Sequence, residues 1–171
     1  VISDDSYSYA GAYRSTVGRP GRPSHPVSIA LSRKQDLGHE VTFVHEYGHF
    51  LDHAGIGIRP DQFATIEPGD RAMLAGWRQA IDDSAAVRRM RAAGDWSRAE
   101  RRGLDEYVLT PEELWARSYS QWIALRSGNP RMVGQVQKMA TGRIPYQWAD
   151  DDFAPIAAAF DDLFSKLGLL A

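Results

Sequence analysis

The sequence of 171 residues contains no cysteine, which excludes disulfide bridges, thiolate metal ligands and cysteine nucleophiles. It also lacks any apolar run of about 18 residues, so it predicts no membrane-spanning helix. Neither sign of charge is in excess, since 20 Lys and Arg stand against 22 Asp and Glu, for a net charge of −2. So balanced a chain has no overall field that attracts nucleic acid, and we expect no nucleic-acid partner.

The composition is that of one globular domain. Apolar residues make up 43% of the chain and charged residues 25%, and the length suits one domain better than two. Helix start and stop signals predict a helix-rich α+β fold with a small N-terminal sheet. Residues 1–26 are interpreted as an irregular segment with short strands, residues 27–32 as an edge strand, and the predicted helices are 37–54, 70–93, 110–127, 130–140 and 153–167.

Three further expectations concern the start of the sequence, the last helix and the predicted edge strand. Val1 begins the sequence without a signal peptide, and we expect a domain excised or processed from a longer parent polypeptide. Asp152 is the predicted N-cap of the last helix. An extended substrate could add to the predicted edge strand 27–32 by backbone hydrogen bonding.

The segment His45-Glu46-Tyr47-Gly48-His49 has the H-E-x-x-H pattern and lies in helix 37–54, whose predicted N-cap is Asp36. Histidines four residues apart stand one turn apart, about 6 Å along the axis, so both imidazoles can bind one ion. Glu46 would then reach a metal-bound water, take its proton and return it to the leaving amine. Imidazole nitrogens with one carboxylate oxygen form a known catalytic zinc site, so Zn²⁺ is the expected cofactor.

This helix also has two contrasting faces. At about 100° per residue, Thr42, Glu46, His49, Asp52 and His53 share the arc of His45, and Phe43, Val44, Tyr47, Phe50, Leu51 and Ala54 lie on the opposite arc. The alternative to a metal site is an amphipathic helix whose solvent-exposed polar face carries histidine and glutamate by chance. That alternative explains the two faces but not the H-E-x-x-H spacing.

A third ligand has to come from another part of the chain. His53 stands about 12 Å along the axis from His45, too far for a shared ion on a straight helix, and is interpreted as an exposed or supporting histidine. Asp61 adjoins Arg59-Pro60 and is interpreted more simply as part of a turn.

Glu113, in the first turn of helix 110–127, is the best candidate for this ligand. Ala116 and Ser120 on its face are small, so this helix can approach the histidine-bearing helix closely. The alternative is that Glu113 completes a capping box with Thr110, and one carboxylate cannot fill both roles. If Glu113 is not the ligand, Asp61, Glu106 and Glu112 are the remaining candidates.

The two segments together resemble a known family. An aromatic-glycine pair inside H-E-x-x-H is followed three residues later by Asp52, and Glu113 is followed by two apolar residues, alanine and then an aromatic residue, Tyr119. This pattern resembles the gluzincin zinc peptidases, among them the catalytic domain of anthrax lethal factor. Similar zincin-like domains occur in bacterial toxins and in large phage proteins. The clear similarity covers only the two helices.

The resemblance implies a single zincin-like metallopeptidase domain, with zinc on His45, His49 and Glu113, Glu46 as general base, and a protein or peptide substrate. It also implies a tyrosine that stabilises the oxyanion. Tyr107 corresponds to it, one residue closer to the glutamate than in the family, and its alternative role is ordinary packing.

The resemblance further favours a secreted or delivered bacterial or phage protein over a cytoplasmic one, with a cognate inhibitor or the parent polypeptide as further partners. The competing hypothesis is a binding or assembly module of a toxin or phage protein that keeps the zincin fold without turnover. The intact Glu46 favours the enzyme.

Overall fold

The computed structural model describes residues 2–4, 10–16, 18, 23–32, 38–59, 61–92, 107–141 and 146–170, and they form the predicted helix-rich α+β fold. Its elements are β1 (Ile2–Asp4), β2 (Gly11–Ser15), β3 (Pro26–Ser32), α1 (His39–Phe50), a π-helical turn (Leu51–Gly55), a 3-10 turn (Pro68–Asp70), α2 (Ala75–Asp83), α3 (Ala85–Ala92), α4 (Pro111–Ser127), α5 (Pro130–Ala140) and α6 (Asp150–Lys166). No helix among these has the length and apolar character needed to cross a membrane.

The small sheet has the strand order β1–β3–β2, so β3 is its central strand. β1 runs parallel to β3, and β2 runs antiparallel to it, with Tyr13 opposite Ile29. The predicted strand at 27–32 is therefore confirmed, but its position at the edge is wrong. Alternating large and small side chains indicate a half-buried strand and do not report how many neighbours that strand has.

The histidine-bearing helix differs from the predicted range 37–54 at both ends. α1 begins after Gly38, whose φ of 85° is a left-handed conformation that suits glycine. Asp36, the predicted N-cap, lies outside the described residues. After Phe50 the backbone widens into the π-helical turn, which ends at Gly55 as predicted.

The predicted helix 70–93 is two helices, because Ser84 has extended backbone (φ −64°, ψ 129°) and ends α2. The Asp152 carboxylate accepts hydrogen bonds from the N–H groups of Ala85 and Ala86, at 2.8 and 2.9 Å. Asp152 thus caps α3 from a distance along the chain. The prediction that it caps the last helix is wrong, since α6 begins earlier and its N-cap is Ala149.

α4 runs through the centre of the core. Thr110 caps its N-terminus, Pro111 is its first residue and Gly128 ends it in a left-handed conformation with φ of 62°, as the sequence predicts. Its own buried Trp115 and Trp122 pack in one core with side chains of other elements, namely Trp77, Phe153, Ile156, Phe160, Leu163 and Phe164. Glu113, in the first turn of α4, is therefore carried by a well-packed helix.

Candidate metal centre

The two helices that carry the candidate ligands pack closely against each other. At Gly48 of α1, an added Cβ would lie 3.0 Å from Ala116 Cα and 3.2 Å from Tyr119 Cδ1 of α4. The Trp115 indole of α4 also donates a hydrogen bond to the Gly48 carbonyl (3.1 Å). The close approach expected from the small residue Ala116 therefore exists, and it depends on glycine at the facing position.

His45, His49 and Glu113 come together at this contact. Glu113 Oε2 lies 3.4 Å from His45 Nε2, and Glu113 Oε1 lies 3.1 Å from His49 Nε2. One ligand atom from each of the three residues lies within 4.8 Å of the other two. His49 and Glu113 are buried, whereas the His45 side chain is 20% exposed, so the group opens to solvent on the side of His45.

The spacing of these atoms fits zinc. Two atoms bonded to one Zn²⁺ at about 2.0–2.1 Å with tetrahedral angles lie about 3.3 Å apart, close to each of the two carboxylate–imidazole distances, which are made by different oxygens of Glu113. Glu113 Oε1 is moreover a buried carboxylate oxygen that makes no well-aligned hydrogen bond to the described residues, although His49 Nε2 lies 3.1 Å away. A buried acceptor normally has a donor or a cation as its partner. The residues present therefore fit a bound metal ion.

The electrostatics of the group indicate the same need for positive charge. Burial alone would raise the pKa of Glu113, but the two neighbouring histidines hold it far below its ordinary value. Burial alone would lower the pKa of His49, yet the Glu113 carboxylate raises it overall. Without a metal, the two histidines thus favour the ionised form of Glu113, and Glu113 favours the protonated form of His49.

The conflict between capping and ligation at Glu113 does not arise in the structure. Thr110 Oγ1 accepts a hydrogen bond from the backbone N–H of Glu113 (3.4 Å), which is half of a capping box. The Glu113 carboxylate does not return the bond and points to the two histidines instead. Backbone and side chain of one residue thereby serve two different purposes.

Glu46 lies beside the group and is 6% exposed. Its Oε2 accepts a hydrogen bond of 2.6 Å from the backbone N–H of Tyr13 in β2. Burial raises the pKa of Glu46 above its ordinary value, an effect that the two histidines and this N–H partly offset. A carboxylate of this kind can exchange a proton at a pH nearer to neutral than an exposed glutamate can.

Tyr107 is about half exposed and faces the same group. Burial of its phenol, followed by the charge and hydrogen bonding of Glu113, raises the pKa of Tyr107 well above its ordinary value, so the phenol keeps its proton. The Arg117 guanidinium of α4 donates a hydrogen bond to the carbonyl of Val108, the residue that follows Tyr107 (3.0 Å). No pattern in the sequence predicted this role for Arg117. The Tyr107 segment is thus tied to α4.

The other sequence candidates are not brought into this group. Both ring nitrogens of His53 have protein partners, Tyr13 and Ser24, and the residue is 1% exposed, so it is a supporting histidine and not an exposed one. Asp61 forms an ion pair with Arg59 (3.5 Å). Glu106 lies outside the described residues.

The polar arc shared by α1 and the π-helical turn is the buried one. Glu46, Asp52 and His53 are 6%, 0% and 1% exposed, whereas Tyr47 on the apolar arc is 38% exposed. The alternative of a solvent-exposed polar face is therefore wrong. Asp52 accepts hydrogen bonds from the N–H and hydroxyl of Thr65 (2.8 and 2.7 Å), and burial raises its pKa to about 7.

Comparison with protein-family models, with curated proteins and with solved structures finds no match to this chain. The likeness to the gluzincins accordingly remains a prediction from the residues of α1 and α4.

Proposed function

We propose that the protein is a zinc-dependent endopeptidase of the gluzincin kind. The observation that carries this proposal is the convergence of His45, His49 and Glu113, from two helices distant in sequence, with one ligand atom of each within 4.8 Å of the other two. The buried acid Glu46 beside them supports hydrolysis over a purely structural metal site, because a structural zinc site needs four protein ligands and no base.

The three metal ligands, Glu46 and Tyr107 each have a part in the proposed peptide hydrolysis. A zinc ion bound by the three ligands would polarise the scissile carbonyl and acidify the attacking water. Glu46 takes the proton of that water and delivers it to the leaving amine, a transfer that its raised pKa favours. Tyr107 keeps its phenol proton and donates it as a hydrogen bond to the oxyanion that develops on the former carbonyl.

The proposed substrate is a protein or peptide in extended conformation. In β2, alternate residues direct their N–H and C=O groups away from β3, and no described strand pairs with this outer edge. Since Tyr13 N on that edge donates to Glu46, a peptide that pairs with the other groups of this edge would lie beside the general base. β2 therefore takes the role that the sequence assigned to residues 27–32.

Digestion of a peptide library tests the proposal. We expect cleavage by the zinc-loaded protein, loss of cleavage with a chelator, and recovery when zinc is returned. Glu46→Gln should bind zinc as the wild type does and lose about 10²- to 10⁴-fold in kcat, the usual contribution of a general base. Glu67→Gln, a change of an acid in the loop before α2, is the matched control and should keep full activity.

Two results would contradict the proposal. A fully active Glu46→Gln variant would remove the general base from the mechanism. Zinc binding with no cleavage of any library peptide would instead favour the binding or assembly module, in which the same ligands hold a metal without turnover.

A further inference from the structure

Tyr13 joins the sheet to the active-site helix at two points. Its backbone N–H donates to Glu46 Oε2 at 2.6 Å, and its phenol lies 2.6 Å from His53 Nδ1. Glu46 and His53 are seven residues apart, about two turns along the same helical run. One tyrosine therefore spans two turns of this helix and contacts the proposed general base at one end.

The hydrogen-bond chain behind Tyr13 has a defined direction. Ser24 Oγ donates its only proton to the carbonyl of Thr16 (2.7 Å), so it must accept from His53 Nε2, 2.8 Å away. Neutral His53 then carries its proton on Nε2, and its Nδ1 accepts the phenol proton of Tyr13. Burial favours both neutral forms, since it lowers the pKa of His53 and raises the pKa of Tyr13 to about 12.

The strand also lies unusually close to the helix at Glu46. A Cβ added to Gly11, two residues before Tyr13 in β2, would lie 2.7 Å from Thr42 Cγ2 and 2.9 Å from Glu46 Oε1. Because Gly11 has no side chain, β2 can approach α1 until the N–H of Tyr13 meets the carboxylate. The outward edge of a strand otherwise presents its N–H groups to solvent.

We propose that Tyr13 is a positioning residue for the Glu46 carboxylate, and that His53 acts on Glu46 through Tyr13. The role in catalysis rests on the proposed peptidase function, but the contact itself can be tested without turnover. Neither residue belongs to the H-E-x-x-H pattern. His53 thus contributes to the site by holding Tyr13 and not by binding the metal.

Amide hydrogen exchange at Tyr13 tests the contact. We expect the Tyr13 amide to exchange slowly in the wild type and at least about tenfold faster in Glu46→Ala, as befits a lost hydrogen bond to a charged group. Glu46→Gln should keep most of the protection, because its amide oxygen can still accept. Equal protection of the Tyr13 amide in wild type and Glu46→Ala would overturn the inference.

Kinetics test the positioning role. Tyr13→Phe keeps the ring but loses the bond to His53, so we expect kcat to fall about 5- to 50-fold through misplacement of the base, with KM and zinc content unchanged. His53→Gln should lower kcat similarly, and the double variant should be no worse than either one. Tyr47→Phe, on the exposed side of α1, is the control and should match the wild type.

The outcomes separate this inference from the proposed function. Unchanged kcat in Tyr13→Phe, or a fall in kcat that is explained by lost zinc, would overturn the positioning role while the peptidase stands. If the wild type cleaves no peptide but the Tyr13 amide still responds to Glu46→Ala, the peptidase fails and the Tyr13–Glu46 contact is supported.

Discussion

Replacement of Glu113 by alanine tests the convergence on which the metal site depends. The two carboxylate oxygens lie 3.4 and 3.1 Å from His45 Nε2 and His49 Nε2, and no other described acid belongs to this group. Loss of a group that merely supports a metal ligand costs about 10- to 100-fold in metal affinity. Loss of the ligand itself should therefore weaken zinc binding by at least about 100-fold.

Thermal unfolding with and without zinc measures this loss. At free zinc of about 100 times the wild-type Kd, bound zinc stabilises the fold by about 2.7 kcal/mol, whereas a variant that binds 100-fold more weakly gains about 0.4 kcal/mol. In a protein of this size, the difference of about 2.3 kcal/mol separates the zinc-induced shifts in Tm by about 5–9 °C.

The matched control is Glu112→Ala, which removes an acid from the same helical turn but not from the group. The reasoning is refuted if Glu113→Ala binds zinc within about threefold of the wild type, or if Glu112→Ala loses as much affinity as Glu113→Ala.

Three further predictions concern the same site. Gly48→Val should separate α1 from α4 and lower both Tm and zinc affinity, because even a Cβ at Gly48 would lie 3.0 Å from Ala116 Cα. The control is Gly134→Val, at a helical glycine with open space around it, which should lower neither Tm nor zinc affinity. Tyr107→Phe should lower kcat by about 10²- to 10³-fold with unchanged zinc content, as removal of an oxyanion donor does, and an unchanged kcat would exclude that role. In chelated protein, the raised folded pKa of His49 contributes stability that is present below about pH 6.5 and is lost as pH rises through the folded value. Tm should therefore fall as pH rises above about 6.5, and should fall less in Glu113→Ala.

Local signals in the sequence predicted the elements that carry the proposed metal ligands. Thr110 and Pro111 mark the start of α4 and Gly128 its end, since each acts through its own backbone or its nearest neighbours. The spacing of His45 and His49 likewise predicts that both rings share one side of α1. Such features depend on a few consecutive residues and hold in almost any tertiary context.

Features that depend on distant neighbours were not predicted in the same way. The pattern of residues 27–32 fits an edge strand and a central strand equally well, and only the pairing of β1 and β2 with β3 decides between them. Tyr13 carries no motif, because the group that reaches Glu46 is its backbone N–H, which every residue but proline has. Gly11 is the one local signal of the contact between β2 and α1, since a glycine in a strand often marks the close approach of another element.

The orientation of α1 shows why hydrophobicity alone does not determine which face of this helix is buried. Its polar arc is buried because the polar groups find partners in different parts of the fold: Glu46 with Tyr13, His49 with Glu113, Asp52 with Thr65, and His53 with Ser24. Leaving a buried polar group without its partner costs about 1–3 kcal/mol, more when it is charged. The four pairs therefore fix the rotation of α1 about its axis, and the aromatic arc is left partly exposed as a consequence. A helix held by such specific pairs can present two imidazoles to the Glu113 carboxylate of α4, which nondirectional apolar packing would not ensure.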